Sequence, residues 1–306
     1  MPSAKRSPGL RRALRGVGLL LIVVILARTD RTALLAALRH ADPAWLVLGF
    51  GLPLPAIGLR VWRWQRLLGA PGEGLAFARL SIHYAQAIAL GVVTPGRVGE
   101  LAKAGPLVDQ GVPLGIALSS VIVDRLADLC LLAGLATLAA LGWGLAAPLG
   151  VSSGLPLGVL LGTAGVTVWV ARGRFGRLTR FLPEGTGRLP PLGMGGALAV
   201  ACATAVSWAV TYAGNWAFAQ ALGLPLSYVA LAGISACCSL VASLPLSIAG
   251  VGTRDAALLV LLGGLGISRP ETLALSALML GSALFVGAVC ALAFLAPERG
   301  RGAGSS

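Results

Sequence analysis

Charge, and negative charge above all, is scarce in this 306-residue sequence. Asp, Glu, Lys and Arg make up 11% of it, and only 11 residues are acidic. Soluble domains run near a quarter charged, so a soluble globular class is excluded. Cysteine is sparse as well. The five (Cys130, Cys202, Cys237, Cys238, Cys290) all lie in apolar runs, without metal-ligand spacing or a disulfide pattern, and read as small buried hydrophobes. The two histidines, His40 and His83, stand far from each other and from any cysteine, so no metal site is expected. Ser119 and Ser120 have no base beside them, and nucleophilic catalysis has no support. No cofactor and no enzymatic activity are expected.

What the chain has instead is hydrocarbon: 57% hydrophobic residues and a mean hydropathy of +0.87. It reads as an all-α polytopic membrane protein, one integral membrane domain over residues 1–306, with no loop long enough for a folded soluble domain. The net charge of +13 sits in short basic segments between apolar runs. That pattern points to topology and to anionic lipid at the cytoplasmic face, not to nucleic acid. A basic N-tail (1–15) precedes an apolar run without a small-x-small cleavage site, and is read as leading into a retained first helix. Runs long enough to cross, at about 20 residues each, lie near 12–28, 43–59, 114–143, 155–171, 193–222 and 271–296. These six full spans are joined by two shorter re-entrant helical pairs, about 75–110 and 226–267. The segments this map makes cytoplasmic are the N-tail, 60–74, the basic loop 172–191 and the C-tail. They hold fifteen of the 24 Lys and Arg residues, against four in the external segments. Both termini are therefore expected to be cytoplasmic, in a bacterial inner membrane.

Each short pair is interrupted by glycine, proline and charge: TPGRVGELAKAG from Thr94, and LPLSIAGVGTRD from Leu244. Non-helical backbone at membrane depth is tolerated only where protein or a watery cavity surrounds it. The two breaks are related. A shift of 154 residues places Trp62 on Trp216, Gly69 on Gly223, Pro71 on Pro225 and Gly96 on Gly250, and after a small insertion Pro113 falls on Pro270. The halves, about 60–122 and 214–279, have three expected crossings between copies, which makes an inverted repeat, a common plan for carriers.

The charges carry the site. In the first break, Pro95, Gly96 and Gly99 permit a helix start near Pro95, with Arg97, Glu100 and Lys103 stepping by three along one side. VDRLAD from Val123 puts Asp124, Arg125 and Asp128 inside an apolar run, where each charge costs on the order of 3 kcal/mol. Arg125 and Asp128 can neutralise each other, leaving Asp124 to pair with Arg97, Lys103 or Arg254. In the second break, Pro245, Gly250 and Gly252 interrupt the helix and Arg254 with Asp255 opens the next run. Arg60, Trp62, Arg63, Trp64 and Arg66 alternate cation and aromatic, a pattern expected of an interfacial anchor that gathers lipid headgroups.

At these motifs the chain resembles the lysylphosphatidylglycerol synthase transmembrane-region family, also described as flippase-like membrane proteins. The family shows a P-x-R-x-G-E segment, an E-R-x-x-D segment and a late P-x-x-x-G-G-x-G-x-R-E segment. They correspond here to Pro95, Arg97, Gly99 and Glu100, then Asp124, Arg125 and Asp128, then Pro245, Gly250, Gly252, Arg254 and Asp255. Asp124 and Asp255 stand where the family has glutamate, and Ala249 where it has glycine. Some members carry a C-terminal soluble aminoacyl-transferase domain. This sequence ends at Ser306 without one, so lysyl-lipid synthesis is not implied. The resemblance implies movement of a membrane lipid (phospholipid, isoprenoid or glycolipid) between leaflets. The alternative is an accessory or scaffold role beside a lipid-biosynthetic enzyme. The uncharged stretch around Ser282 and Phe285, which answers to VDRLAD in the second half, makes the expected chemistry asymmetric.

Overall fold

The computed structural model describes residues 32, 36, 39–69, 72, 74–94, 97–142, 192–243 and 253–296. The expected spans 12–28 and 155–171, the N-tail 1–15 and the loop 172–191 lie outside the described residues. So do Pro95, Gly96, Pro245, Gly250 and Gly252.

Everything described is helix and connection. α1 (Pro43–Gly51) runs through Leu52 into α2 (Pro53–Leu68), making one bent apolar rod, Pro43–Leu68. Each half of the rod has proline in its first turn, where no amide partner is needed, and Asp42 caps α1 by accepting from the Ala44 amide. α3 (Phe77–Val92) is followed by a 3-10 helix (Val98–Lys103) and the short α4 (Ala104–Asp109). α5 (Leu114–Gly142) has 29 residues, about 43 Å at helical rise, enough to cross a bilayer. α6 (Met194–Ala221), α7 (Tyr228–Ser243), α8 (Thr253–Gly263) and α9 (Arg269–Ala291) follow, and a 3-10 turn (Leu292–Phe294) continues from α9. α9 opens on a capping box between Ser268 and Glu271. Three helices are long and apolar enough to cross a membrane: Pro43–Leu68, Met194–Ala221 and Arg269–Phe294. α5 is as long, but carries Asp124, Arg125 and Asp128.

Two large apolar cores and two smaller clusters hold the bundle. One core gathers Val61, Trp64, Leu80, Tyr84, Leu107 and Val121 from α2 to α5. The other gathers Phe218, Leu231, Ile234, Leu258, Leu262 and Leu275 from α6 to α9. Between them the packing is reciprocal. α2 lies along α6, α9 along α3, and α7 along α5. Exchanging α2 with α6, α3 with α7 and α5 with α9 leaves this pattern unchanged. The two helices paired by the 154-residue shift also stop alike, on Gly69 (φ 65°) and Gly223 (φ 68°), left-handed positions suited to glycine.

The first long helix does not end near residue 59, as the sequence suggests, but continues to Leu68. That carries the arginine–tryptophan segment into the bundle and out of the loop assigned to it.

Candidate functional site

Arg63 and Trp64 are fully buried, contrary to their expected place at the headgroup interface. They lie on the inner face of α2 with Ala56 and Leu67, spaced four, three and seven residues apart, so the helix turns them inward together. Arg60 is half-buried. It donates to Thr211 Oγ1 (3.0 Å) and lies over the Trp208 ring (4.7 Å). Only Arg66, exposed with its guanidinium over Trp62 (5.2 Å), keeps an outward arrangement.

The Arg63 guanidinium organises the centre. Its Nε and NH2 donate to Asp124 Oδ1 (2.9 and 2.6 Å), and NH1 donates to Asp128 Oδ1 (2.6 Å) and to Thr204 Oγ1 (2.9 Å). Asp124 and Asp128 are one turn apart on α5 and so face the same arginine fork. Asp124 Oδ2 takes an ion pair from Lys103 and a hydrogen bond from the Tyr84 hydroxyl (3.3 Å). Lys103 is itself buried over the faces of Tyr84 (4.3 Å) and Trp64 (5.0 Å). Trp208 Nε1 donates to Asp128 Oδ1 (2.9 Å) and Trp64 Nε1 to Ser120 Oγ (3.1 Å). An unpaired ion at this depth would be expensive. Here each carboxylate has at least two donors. Replacing Trp208 with phenylalanine is expected to remove one charge-assisted bond and lower stability by about 1.5 kcal/mol, measured as reversible unfolding in detergent micelles.

The 3-10 helix brings the remaining charges to this centre. It begins at Val98, not near Pro95, with Arg97 in left-handed backbone (φ 58°) as its N-cap. Three residues per turn align Arg97, Glu100 and Lys103 on one side, as their spacing predicts. Arg97 lies 3.8 Å from Glu100, whose other oxygen is paired with Arg125. The mutual pairing expected of Arg125 and Asp128 is therefore corrected. Arg125 reaches Glu100 because Arg63 already occupies Asp128. The 3-10 helix can approach α3 because two side chains are missing. A Cβ on Gly99 would lie 2.4 Å from the Leu90 carbonyl oxygen, and one on Gly91 would lie 2.6 Å from Glu100 Cγ. The Gly99 amide donates to Thr94 Oγ1 (2.8 Å), which itself donates to Leu90 O (2.9 Å).

Arg60, Arg97, Glu100, Arg125 and Asp128 line a cavity of about 110 Å³ among α2, α3, α5, α6 and α9. Aliphatic side chains, among them Ile57, Ile88, Val92, Met279 and Val286, line it too, with the polar Tyr84, Thr211, Asn215 and Ser282. A lining that mixes charged and aliphatic groups makes it amphipathic. Arg254 and Asp255 do not reach it. Arg254 NH2 donates to Ser276 O (3.1 Å) and Ser276 Oγ (3.3 Å) and lies 3.4 Å from Asp255, which also accepts from the Ser276 hydroxyl. This pair is a separate cluster at the start of α8.

Sequence reasoning missed Tyr84, Thr204 and Trp208, and misassigned Arg63. The available signal was spacing: Thr204 and Trp208 are four apart on α6, as Asp124 and Asp128 are on α5. Among the described residues there is no group of three His, Cys, Asp or Glu arranged to hold a metal.

Long apolar helices packed around buried ion pairs and an amphipathic cavity define a multi-pass helical membrane protein. The chain belongs to the lysylphosphatidylglycerol synthase TM region family, whose model matches residues 14–295. No curated protein sequence matches it.

Proposed function

We propose that this protein moves a membrane lipid between the leaflets of the inner membrane. The observation that carries this reading is the cavity, whose lining combines three guanidiniums with a set of aliphatic side chains. A lipid headgroup with the first part of its chains has the same combination. Arg97 is the natural headgroup ligand, because its side chain is 38% accessible and its only carboxylate contact among the described residues is long, 3.8 Å. Arg63, Lys103, Asp124 and Asp128 hold the wall in place, and Glu100 shares itself between Arg97 and Arg125. The family is named for the transmembrane region of a lipid-modifying synthase, which favours lipid handling over aminoacyl transfer.

The basic residues concentrate in segments that the positive-inside rule assigns to the cytoplasm, and both termini belong there. Residues 60–122 and 214–279 are two copies of one unit in opposite orientation. The reciprocal packing and the paired glycine stops support that duplication. Anionic lipid gathers at the basic cytoplasmic segments.

The test is leaflet exchange of labelled phospholipid in liposomes. Arg97→Gln is expected to slow exchange at least tenfold with little change in melting temperature, since the side chain is partly accessible. Ser276→Ala, outside the cavity, is the control and is expected to leave the rate within twofold. Normal exchange in Arg97→Gln would remove the cavity from the path.

A further inference from the structure

Among the described residues, the charges around the cavity do not balance. Five cations are joined in the network and its rim, Arg60, Arg63, Arg97, Lys103 and Arg125, against the three carboxylates of Glu100, Asp124 and Asp128. All three carboxylates are committed. Asp124 serves Arg63 and Lys103, Asp128 serves Arg63 and the Trp208 indole, and Glu100 serves Arg125 and Arg97. Arg60 has no carboxylate within ion-pair distance among the described residues. Its bond goes to the neutral Thr211 hydroxyl. The Nε groups of Arg60 and Arg125 are buried and lack a hydrogen-bond partner among those residues. Among the described residues the cations of this network thus exceed its carboxylates by two.

Resting on the translocation reading, we propose that the cavity takes a phosphoryl group carrying two negative charges, the phosphomonoester or diphosphate end of a lipid. A dianion would cancel the surplus. A zwitterionic headgroup leaves it in place and brings an ammonium among Arg60, Arg97 and Arg125. Guanidinium forks match phosphoryl oxygens two at a time, and the orphaned N–H groups are donors of that kind. The size permits it: a cavity of about 110 Å³ has room for several waters, and so for a phosphoryl group.

The full chain in phosphatidylcholine nanodiscs would be titrated with dihexanoyl phosphatidic acid, phosphatidylglycerol and phosphatidylethanolamine, and with inorganic phosphate. At pH 8 the monoester is doubly charged, its second pKa being about 6. Phosphatidic acid is expected to bind at least tenfold tighter than phosphatidylglycerol, and phosphatidylethanolamine weakest. At pH 5 the first two should converge. Arg60→Gln and Arg97→Gln should each reduce the preference at least tenfold, while Arg97→Lys, which keeps the charge but not the fork, retains part of it. Equal affinity for the three lipids overturns the charge class and leaves translocation to be judged by exchange. Inorganic phosphate binding as tightly as phosphatidic acid assigns the site to a free anion and overturns the lipid source. Tight phosphatidic acid binding with no exchange of any lipid keeps the site and removes the translocation reading. The unaltered protein alone fixes the ranking, so a poorly folded variant does not shelter the proposal.

Discussion

Arg63→Met is expected to destabilise the protein by about 3–5 kcal/mol, the largest effect of any single change in the network. The methionine fills much of the volume, so the loss is electrostatic. Asp128 would keep only the Trp208 indole, and Asp124 only Lys103 and Tyr84. An ion in a water-poor interior without its counterion costs more than the pair ever contributed. Arg63→Lys should fall between, because a single ammonium cannot replace the fork that spans two aspartates. The double variant Arg63→Met with Asp128→Asn decides the mechanism. It leaves Lys103 and Asp124 as a neutral pair, and is expected to be more stable than Arg63→Met alone. Unfolding followed by tryptophan fluorescence in micelles gives both numbers, and the difference is the coupling energy. A double variant no better than the single would mean that Arg63 acts through packing.

Gly99→Ala is expected to cost about 1–3 kcal/mol as overpacking and to slow lipid exchange at least tenfold. The new methyl would meet backbone, the Leu90 carbonyl carbon at 2.5 Å and its oxygen at 2.4 Å, with Thr94 Oγ1 at 2.8 Å. Backbone cannot swing away as a side-chain tip can. The 3-10 helix must lift from α3, and Glu100, the next residue, moves with it. Arg97 and Arg125 then lose their shared carboxylate together. Melting temperature and exchange rate, measured on the same preparation, separate the two consequences. A drop in stability with full exchange would detach Glu100 from transport.

Much of the bundle was legible because long apolar runs leave few choices. The expected 114–143, 193–222 and 271–296 are close to α5, α6 and the span ending at Phe294. The short pair 75–110 is likewise close to α3 and its return. Lys103 stood among the three candidates for Asp124, since a buried carboxylate demands a cation and few were available. Arg63 was illegible for a physical reason. Alternating arginine and tryptophan suits both a lipid interface and a buried cation resting among aromatics, and composition cannot separate them. Periodicity could have done so, because Arg63 falls seven residues after the buried Ala56 and four before the buried Leu67. The pairing of Arg125 was equally hidden. Its neighbour in sequence is Asp128, and only the approach of the 3-10 helix supplies Glu100.

The reciprocal packing has a mechanical consequence. α3 rests on α9 and α7 rests on α5, so each half grips the other's short helix with its own long one. Neither hairpin can slide without dragging a helix that supports its counterpart. Displacing either short helix is therefore expected to disturb the long helix of the other half. The second half, whose own charges Arg254 and Asp255 are engaged with each other and with Ser276, is thus joined to the charged centre of the first by packing alone.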